Sequence, residues 1–123
     1  METHKLVMPE HLNHYGYLFG GYMLMWVDEI AWIAASLDYP DYNFVTIAMD
    51  RVEFRRSVGE GVILAFQTER TRIGKTSVSY EVTVFKARSK DKRDDHASIF
   101  KTTVTLVRVD ADGQKAPIMQ PAE

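Results

Sequence analysis

The chain of 123 residues contains no cysteine. This absence excludes disulfides, thiolate metal ligands and a cysteine nucleophile, and it agrees with the reducing cytoplasm in which we expect the protein to work. The first residues lack the basic-then-apolar pattern of a signal peptide, and Asp28 and Glu29 interrupt the longest apolar run, so we expect no membrane span. Neither charge dominates: fifteen basic and seventeen acidic residues give a net charge of −2, which favours neither nucleic acid nor an anionic membrane as a partner.

What the sequence does contain is enough apolar material for one core. Hydrophobic residues make up 46% of the chain, and its length suits a single domain spanning residues 1–123. The polar segment "DADGQKAPIMQPAE" (110–123) predicts a loosely ordered tail.

One segment reads as a helix, four read as long strands and one reads as a short strand. From Gly21 to about Leu37 no proline or glycine intervenes, and the apolar residues lie nearly all round the predicted helix, which indicates burial on most sides. Later segments rich in β-branched and aromatic residues, separated by short breaks, predict long strands with antiparallel neighbours in the two central hairpins. They are "NFVTIAMDRVEF", "GVILAFQTERTRI", "TSVSYEVTVFKAR" and "ASIFKTTVTLVRV", preceded by a short strand "KLVM" near the N-terminus.

These elements predict an α+β fold in which a long antiparallel sheet curls round one central helix. A single curved sheet cannot cover every side of a helix about 25 Å long, so we expect a second copy of the chain to extend the sheet and cover the rest. The sequence leaves a dimer, a tetramer and a trimer of dimers open.

An acid in this helix requires an explanation. Burying Asp28, within "MWVDEIAW", costs several kcal/mol unless its charge or its proton is used. Glu29 lies about 100° round the helix, so the two carboxylates cannot face the same site, and we expect one of them to be solvated.

The residues before the helix could complete a site. Gly20 and Gly21 allow close approach to the helix start, whose first N–H groups suit an oxyanion, although a glycine pair can also serve ordinary packing. Asn13 lies in the preceding passage and can donate or accept a hydrogen bond. His11 and His14 flank it, but without a partner cluster at metal spacing we favour exposed or structural roles for both.

Together these residues resemble the signature of the hotdog-fold acyl-CoA thioesterases, especially the short-chain acyl-CoA hydrolases of the YciA type and their cytosolic eukaryotic relatives. An asparagine, a glycine three residues on, an (F/H)GG triplet and an acid seven residues later recur there in this order. Here they are Asn13, Gly16, the triplet 19–21 and Asp28. The later "RTRIGKTSVSYEVTVF" is similar to the R-x-G-x-(S/T)-S turn of the same family.

The resemblance implies hydrolysis of an acyl-CoA at a site that contains no metal and needs no cofactor, coenzyme A entering only as part of the substrate. The N–H groups near Gly20 and Gly21 would polarise the thioester carbonyl, Asp28 would act as general base or nucleophile, and Asn13 would orient water or the carbonyl. Bulky residues near the helix start suggest short- to medium-chain or aromatic acyl groups. They are Tyr15, Tyr17, Tyr22, Met23 and Trp26.

Helix geometry adds a prediction of its own. Asp28 lies seven residues beyond Gly21, about 10 Å farther along the same axis, and can hardly reach a carbonyl held at its own helix start. Two helices that run antiparallel across a dimer two-fold would bring one chain's Asp28 to the partner's glycines, so the predicted site is composite.

Coenzyme A carries phosphates, so basic residues are expected near the acyl site. We predict binding by Arg56 and by the turn that the family resemblance points to, which comprises Arg72, Gly74, Lys75, Thr76 and Ser77. The tripeptide Gly-Lys-Thr at 74–76 is also the last part of the P-loop motif of nucleotide-binding proteins. That motif requires a glycine at position 69, where this chain has Glu69, and a helix after the tripeptide, so we reject an NTPase.

Two further functions compete with hydrolysis. A hydratase or dehydratase of acyl thioesters on the same fold would use a histidine with an acid, commonly in a proline-rich loop that "EHLNHYG" does not match. A non-catalytic acyl-CoA-binding protein would need the cleft but not Asp28. A purely structural domain would leave both Asp28 and the glycine pair unexplained.

Overall fold

The structure is a computed structural model that describes residues 1–119. Its elements are strand β1 (Glu2–Leu6), helix α1 (Gly20–Asp38) and strands β2 (Asn43–Phe54), β3 (Ile63–Ile73), β4 (Ser77–Lys86) and β5 (Phe100–Val109). Two short 3-10 helices, Pro9–His11 and Asp95–Ala97, lie in the connections.

Helix α1 confirms the predicted helix with one residue added at each end. Its apolar side chains at three- and four-residue spacing form the centre of the core, where Val27, Ala31 and Ala35 have no exposed surface. The helix ends where Tyr39 donates its N–H to the carbonyl of Ala35 and Pro40 follows.

All five strands form one antiparallel sheet in the order β1-β3-β4-β5-β2. Along β4 the alternate residues Val78, Tyr80, Val82 and Val84 are buried against α1, which confirms the predicted covered face. The sheet therefore wraps the helix as the sequence predicts.

One side of this arrangement stays uncovered. Strand β2 pairs with β5 along one edge and with nothing in residues 1–119 along the other. Large apolar side chains are exposed along this edge and on the helix, namely Val45, Ile47, Val52 and Phe54 in β2 and Met25, Trp32, Ile33 and Leu37 in α1. An open edge beside such a patch is typical of a surface that a second chain covers.

Both ends of the chain differ from expectation. Strand β1 begins at Glu2, three residues before the predicted "KLVM", because its backbone pairs with β3 at a register that local sequence does not reveal. The tail is not loose where the structure describes it: Ala116 is buried and donates to the carbonyl of Arg108, and Ile118 donates to the carbonyl of Lys75. Residues 120–123 of the predicted tail lie outside the described residues.

Candidate active site

The helix start presents two backbone donors. Phe19 occupies the N-cap position, and its carbonyl accepts from Tyr22 N–H at 3.1 Å and from Met23 N–H at 3.4 Å. The N–H groups of Gly20 and Gly21 have no acceptor within residues 1–119. Donors of this kind, at the positive end of the helix dipole, suit a negatively charged or polarised oxygen.

The structure shows which groups pack against the glycine pair, a role that the sequence left open beside oxyanion binding. A Cβ atom at Gly20 would lie 3.2 Å from the ring of Phe54, and one at Gly21 would lie 2.7 Å from the ring of Phe19. Both rings are about half exposed. The two glycines thus let aromatic rings flank the free N–H groups, one ring from β2 and one from the chain just before the helix.

A cleft of 170 Å³ opens beside Gly20. Its wall combines apolar and polar residues, namely Leu18, Gly20, Met23, Phe54, Val58 and Ile99 with Arg55, Arg56 and Ser57. The structure therefore brings the predicted Arg56 to the predicted helix start.

The two arginines of this cleft differ in how their charge is used. Arg55 pairs with Glu53 at 2.7 Å and with Asp95 at 3.0 Å, and its guanidinium lowers the pKa of Asp95 below the ordinary value. Arg56 donates to the backbone carbonyl of His96 and forms no ion pair in the described part of the chain. Only Arg56 keeps its charge available for a ligand.

Asn13 holds the turn that leads into the helix. Its side-chain oxygen accepts from Tyr15 N–H at 2.9 Å and from Tyr17 N–H at 3.2 Å, and Gly16 completes the turn at φ +86°. The amide nitrogen of Asn13 makes no hydrogen bond within residues 1–119, so it can donate to a ligand. Turn formation, the ordinary role for a loop asparagine, thus accounts for the side-chain oxygen of Asn13 but not for its amide nitrogen.

The histidines beside Asn13 have structural surroundings. The ring of His11 lies edge-on to Trp26 at 4.9 Å between centroids, and its Nδ1 accepts from Met8 N–H at 3.0 Å. His14 is exposed and lies against Tyr15. Both placements agree with the structural or exposed roles favoured from the sequence, and residues 1–119 contain no cluster of three or more side chains of the kinds that ligate metals.

Asp28 and Glu29 have different environments, as their spacing predicts. Asp28 is half-buried, and its Oδ1 accepts a hydrogen bond of 2.6 Å from the hydroxyl of Thr46 on β2. The side chain of Glu29 is 57% exposed and lies 3.8 Å from the ammonium of Lys5. Glu29 is therefore the solvated acid, and Asp28 is the one held in place by the fold.

Thr46 is the site residue that sequence reasoning missed. It lies eighteen residues after Asp28, on a strand whose position across the helix depends on the whole sheet. The only local signal is a hydroxyl on the same face of the strand as the buried Phe44.

The predicted binding turn is a tight hairpin between β3 and β4. Gly74 N–H donates to the carbonyl of Ser77 at 2.7 Å, and a Cβ atom on Gly74 would lie 2.6 Å from the Ser77 hydroxyl. The side chains of Lys75 and Arg72 are exposed. The carbonyls of Lys75 and Thr76 accept hydrogen bonds from the returning tail and from β5, so this turn is fixed at its base.

One protomer does not assemble all the predicted residues. Arg56 follows Phe54, which lies in register with Phe100 and, through it, with Val84. Ser77 is seven residues from Val84 along β4, or roughly 24 Å at the rise of an antiparallel strand. The helix start with Arg56 and the hairpin 74–77 are thus at opposite ends of the sheet, and Asp28 is about 10 Å from the glycines along the helix.

The family match and the most similar known proteins indicate the same family. Residues 15–92 match the Thioesterase superfamily. Mouse acyl-coenzyme A thioesterase 11 is 30% identical over 122 residues, and an uncharacterized acyl-CoA thioester hydrolase of Bacillus subtilis is 29% identical over 113. These alignments cover 98% and 91% of this chain, which spans only 20% of the mouse protein and 63% of the Bacillus protein.

Solved structures share the fold over nearly the whole chain. A hexameric hotdog-fold thioesterase of Campylobacter jejuni is 34% identical, with a TM-score of 0.80 over 95% of this chain and 88% of its own. An acyl-CoA hydrolase of Staphylococcus aureus, solved with butyryl coenzyme A and coenzyme A, is 25% identical, with a TM-score of 0.86 over 98% of this chain and 71% of its own. None of the helices in residues 1–119 has the length and apolar character needed to cross a membrane.

Proposed function

This chain belongs to the thioesterase superfamily and has its hotdog fold, and on that premise we propose that it hydrolyses acyl-CoA to the free acid and coenzyme A. The observation that carries the proposal is Asp28: a carboxylate in an apolar helix, half-buried and hydrogen-bonded by Thr46, on the same helix as two N–H groups that have no acceptor in residues 1–119.

Hydrolysis of the thioester needs a polarised carbonyl and an activated nucleophile. The N–H groups of Gly20 and Gly21 donate to the thioester oxygen as it gains charge, and the amide nitrogen of Asn13 is a further donor. As a general base, Asp28 removes a proton from the attacking water and passes it to the leaving thiolate of coenzyme A. As a nucleophile, Asp28 displaces the thiolate, which solvent protonates, and forms a mixed anhydride that water then hydrolyses to the free acid and the regenerated carboxylate. As a nucleophile Asp28 needs its free oxygen next to the reacting carbon, and as a base it needs that oxygen next to the water that attacks this carbon.

We propose that two protomers build each site. Antiparallel helices across a two-fold axis bring Asp28 of one protomer towards the glycines of the other, and the same operation brings the hairpin 74–77 towards the end of the partner sheet that carries Arg56. The open edge of β2 and the exposed apolar helix side chains supply the surface for this pairing. One symmetry operation would therefore bring together both pairs that are far apart within a single protomer, Asp28 with the glycines and the hairpin 74–77 with Arg56.

The Staphylococcus aureus hydrolase supports these assignments. Its structures include variants in which an asparagine and an aspartate fifteen residues apart are each replaced by alanine. Asn13 and Asp28 have the same separation. A third variant replaces a threonine seventeen residues beyond that aspartate, close to the eighteen that separate Asp28 and Thr46.

The cleft of a single protomer offers limited room for the acyl group. Of the bulky set predicted from the sequence, Met23 lines the cleft, whereas Trp26 is buried in the core and Tyr15 and Tyr17 are exposed, so the set does not form one lining. We propose that the acyl group instead contacts the apolar side chains of Leu18, Met23 and Phe54 in the cleft of 170 Å³ beside Gly20. A short- to medium-chain or aromatic acyl-CoA remains the proposed substrate class.

Release of coenzyme A tests the proposal directly. The purified protein is incubated with a panel of acyl-CoAs and a thiol reagent, together with Asp28→Asn, Asn13→Ala and the matched control Glu29→Gln. We expect hydrolysis by the parent and by Glu29→Gln, and a loss of about 10²- to 10⁴-fold in Asp28→Asn. Equal activity of Asp28→Asn and Glu29→Gln would contradict the assignment, and tight binding without release would indicate a non-catalytic acyl-CoA-binding protein.

A further inference from the structure

Residues 110–119 of the tail turn back along β5 and reach the hairpin between β3 and β4. The N–H of Asp110 donates to the carbonyl of Gln114 at 2.8 Å, which closes the turn. After the turn, the N–H of Ala116 donates to the carbonyl of Arg108 on β5 at 3.0 Å. This part of the tail therefore follows a defined path over the end of the sheet.

The side chain of Arg108 fixes this path. Its guanidinium carbon lies 3.7 Å from the centre of the Tyr42 ring, and its Nη1 donates to the carbonyl of Pro117. The Tyr42 ring in turn stacks on the buried Tyr39, with 5.8 Å between the ring centres and 8° between the ring planes. Arg108 thus joins the tail to the loop that follows α1.

The tail and β5 hold two carbonyls of the hairpin. The N–H of Ile118 donates to the carbonyl of Lys75 at 2.8 Å, and the N–H of Arg108 donates to the carbonyl of Thr76 at 2.9 Å. In a trans peptide the C=O of one residue and the N–H of the next point in opposite directions. The N–H of Thr76 therefore faces away from Ile118, and it has no acceptor within residues 1–119.

We propose that the tail is a positioning element of the active site, which keeps the N–H of Thr76 turned outward as a donor for the bound substrate. The inference rests on the proposed function, in which the hairpin 74–77 of one protomer lies beside the cleft of its partner. The tail acts through the hairpin and does not itself contact the substrate.

Packing of the tail has to be separated from this role. Ala116 is buried and the side chain of Ile118 packs against the core, so both stabilise the chain whatever the hairpin does. Ile118→Pro removes the N–H that holds the carbonyl of Lys75. The matched control Ile118→Ala keeps that N–H and removes most of the side chain.

The test measures KM and kcat for an acyl-CoA, and the melting temperature, for the parent and both Ile118 variants. We expect Ile118→Pro to raise KM by about five- to tenfold with kcat unchanged, because the hairpin contact is remote from the reacting carbonyl. Ile118→Ala should melt at a lower temperature but keep the KM of the parent.

A second pair of variants serves if Ile118→Pro does not fold. Arg108→Met loses both the cation over Tyr42 and the donor to Pro117, and should raise KM in the same way. Arg108→Lys keeps a cation and a donor, and should restore most of the parent's KM.

The outcomes separate this inference from the proposed function. An unchanged KM in Ile118→Pro, or an equal rise in Ile118→Ala, would overturn the positioning role while leaving hydrolysis established. If the parent hydrolyses no acyl-CoA, the proposed function fails, and calorimetry with coenzyme A then decides the role of the tail. Weaker binding in Ile118→Pro alone supports that role, whereas equal binding by all three proteins, or no binding by the parent, overturns it.

Discussion

The hydroxyl of Thr46 on β2 donates a hydrogen bond of 2.6 Å to Oδ1 of Asp28 on α1. This contact joins the edge strand of the sheet to the central helix at the one half-buried acid of the helix interior. It restrains the carboxylate and occupies one of its oxygens, which leaves the other oxygen for the reaction. Thr46 is therefore a positioning residue in the proposed site.

Replacing Thr46 by valine should reduce turnover without weakening substrate binding. The hydrogen bond to Asp28 is lost while the shape of the side chain is kept, so we expect kcat to fall by about tenfold and KM to stay the same. Thr46→Ser keeps the hydroxyl and should recover most of the activity. A purely structural role for Thr46 would instead lower the melting temperature of Thr46→Val with no change in kcat.

Two substitutions at Gly21 should separate the N–H donor from the space around it. Gly21→Pro removes the N–H in the first helical turn, where proline is tolerated and where this group has no acceptor in the described residues. We expect it to lower kcat by about 10²- to 10³-fold. Gly21→Ala keeps the donor and only requires the half-exposed ring of Phe19 to move, so it should lose much less.

Circular dichroism of both variants checks that the helix is intact. If Gly21→Ala were as inactive as Gly21→Pro, the space beside the ring of Phe19, and not the donor, would be the requirement at this position.

The sequence predicted the helix and the long strands because their signals are local. The apolar residues of α1 and the alternation along β4 can each be read from neighbouring positions, and both are confirmed. The positions of β1 and of the tail could not be predicted from the sequence. The backbone of β1 pairs with β3, and the backbone of the tail pairs with the hairpin and with β5. Such pairings depend on backbone geometry far along the chain.

The candidate site shows the same division. Asp28 was identifiable because a carboxylate is out of place in its own helix, and Glu29 could be set apart by angle alone. Thr46 could not be identified, since its contact depends on how β2 lies across α1. The glycine pair was recognised as a place of close approach, but the approaching groups within the protomer are the rings of Phe19 and Phe54.

Tyr80 should contribute stability that is lost in alkaline solution. Its ring is 2% exposed, and its hydroxyl donates to Oδ2 of Asp38 at 2.7 Å, near Arg70. Burial and this hydrogen bond raise the pKa of Tyr80 above the ordinary value of 10.0. The stabilisation is therefore complete below about pH 10 and falls as the pH rises further, since the phenol then ionises only in the unfolded chain.

Urea unfolding of Tyr80→Phe checks this. We expect the variant to be less stable by about 1 to 2 kcal/mol near neutral pH and to lose less additional stability above about pH 10 than the parent. The exposed Tyr15 is the control, because Tyr15→Phe removes a hydroxyl without a buried partner. Parallel pH profiles for Tyr80→Phe and the parent would show that the Tyr80 hydroxyl has no role in the alkaline loss.

Mixing two inactive variants should restore activity if each site uses two protomers. In a mixed dimer of Asp28→Asn and Gly21→Pro, one site contains both defects, and the other combines an intact Asp28 with intact glycines. Random pairing of equal amounts makes about half of the dimers mixed, so about a quarter of all sites should be functional. A site built within one protomer would contain one defect at every position and recover nothing.

Co-expression with two affinity tags isolates the mixed dimers, in which half of the sites should then work. Gly20→Pro replaces Gly21→Pro if the latter does not fold. If the purified mixed dimers were no more active than the single variants, Asp28 and the glycines of one chain would lie in the same site, despite the roughly 10 Å of helix between them.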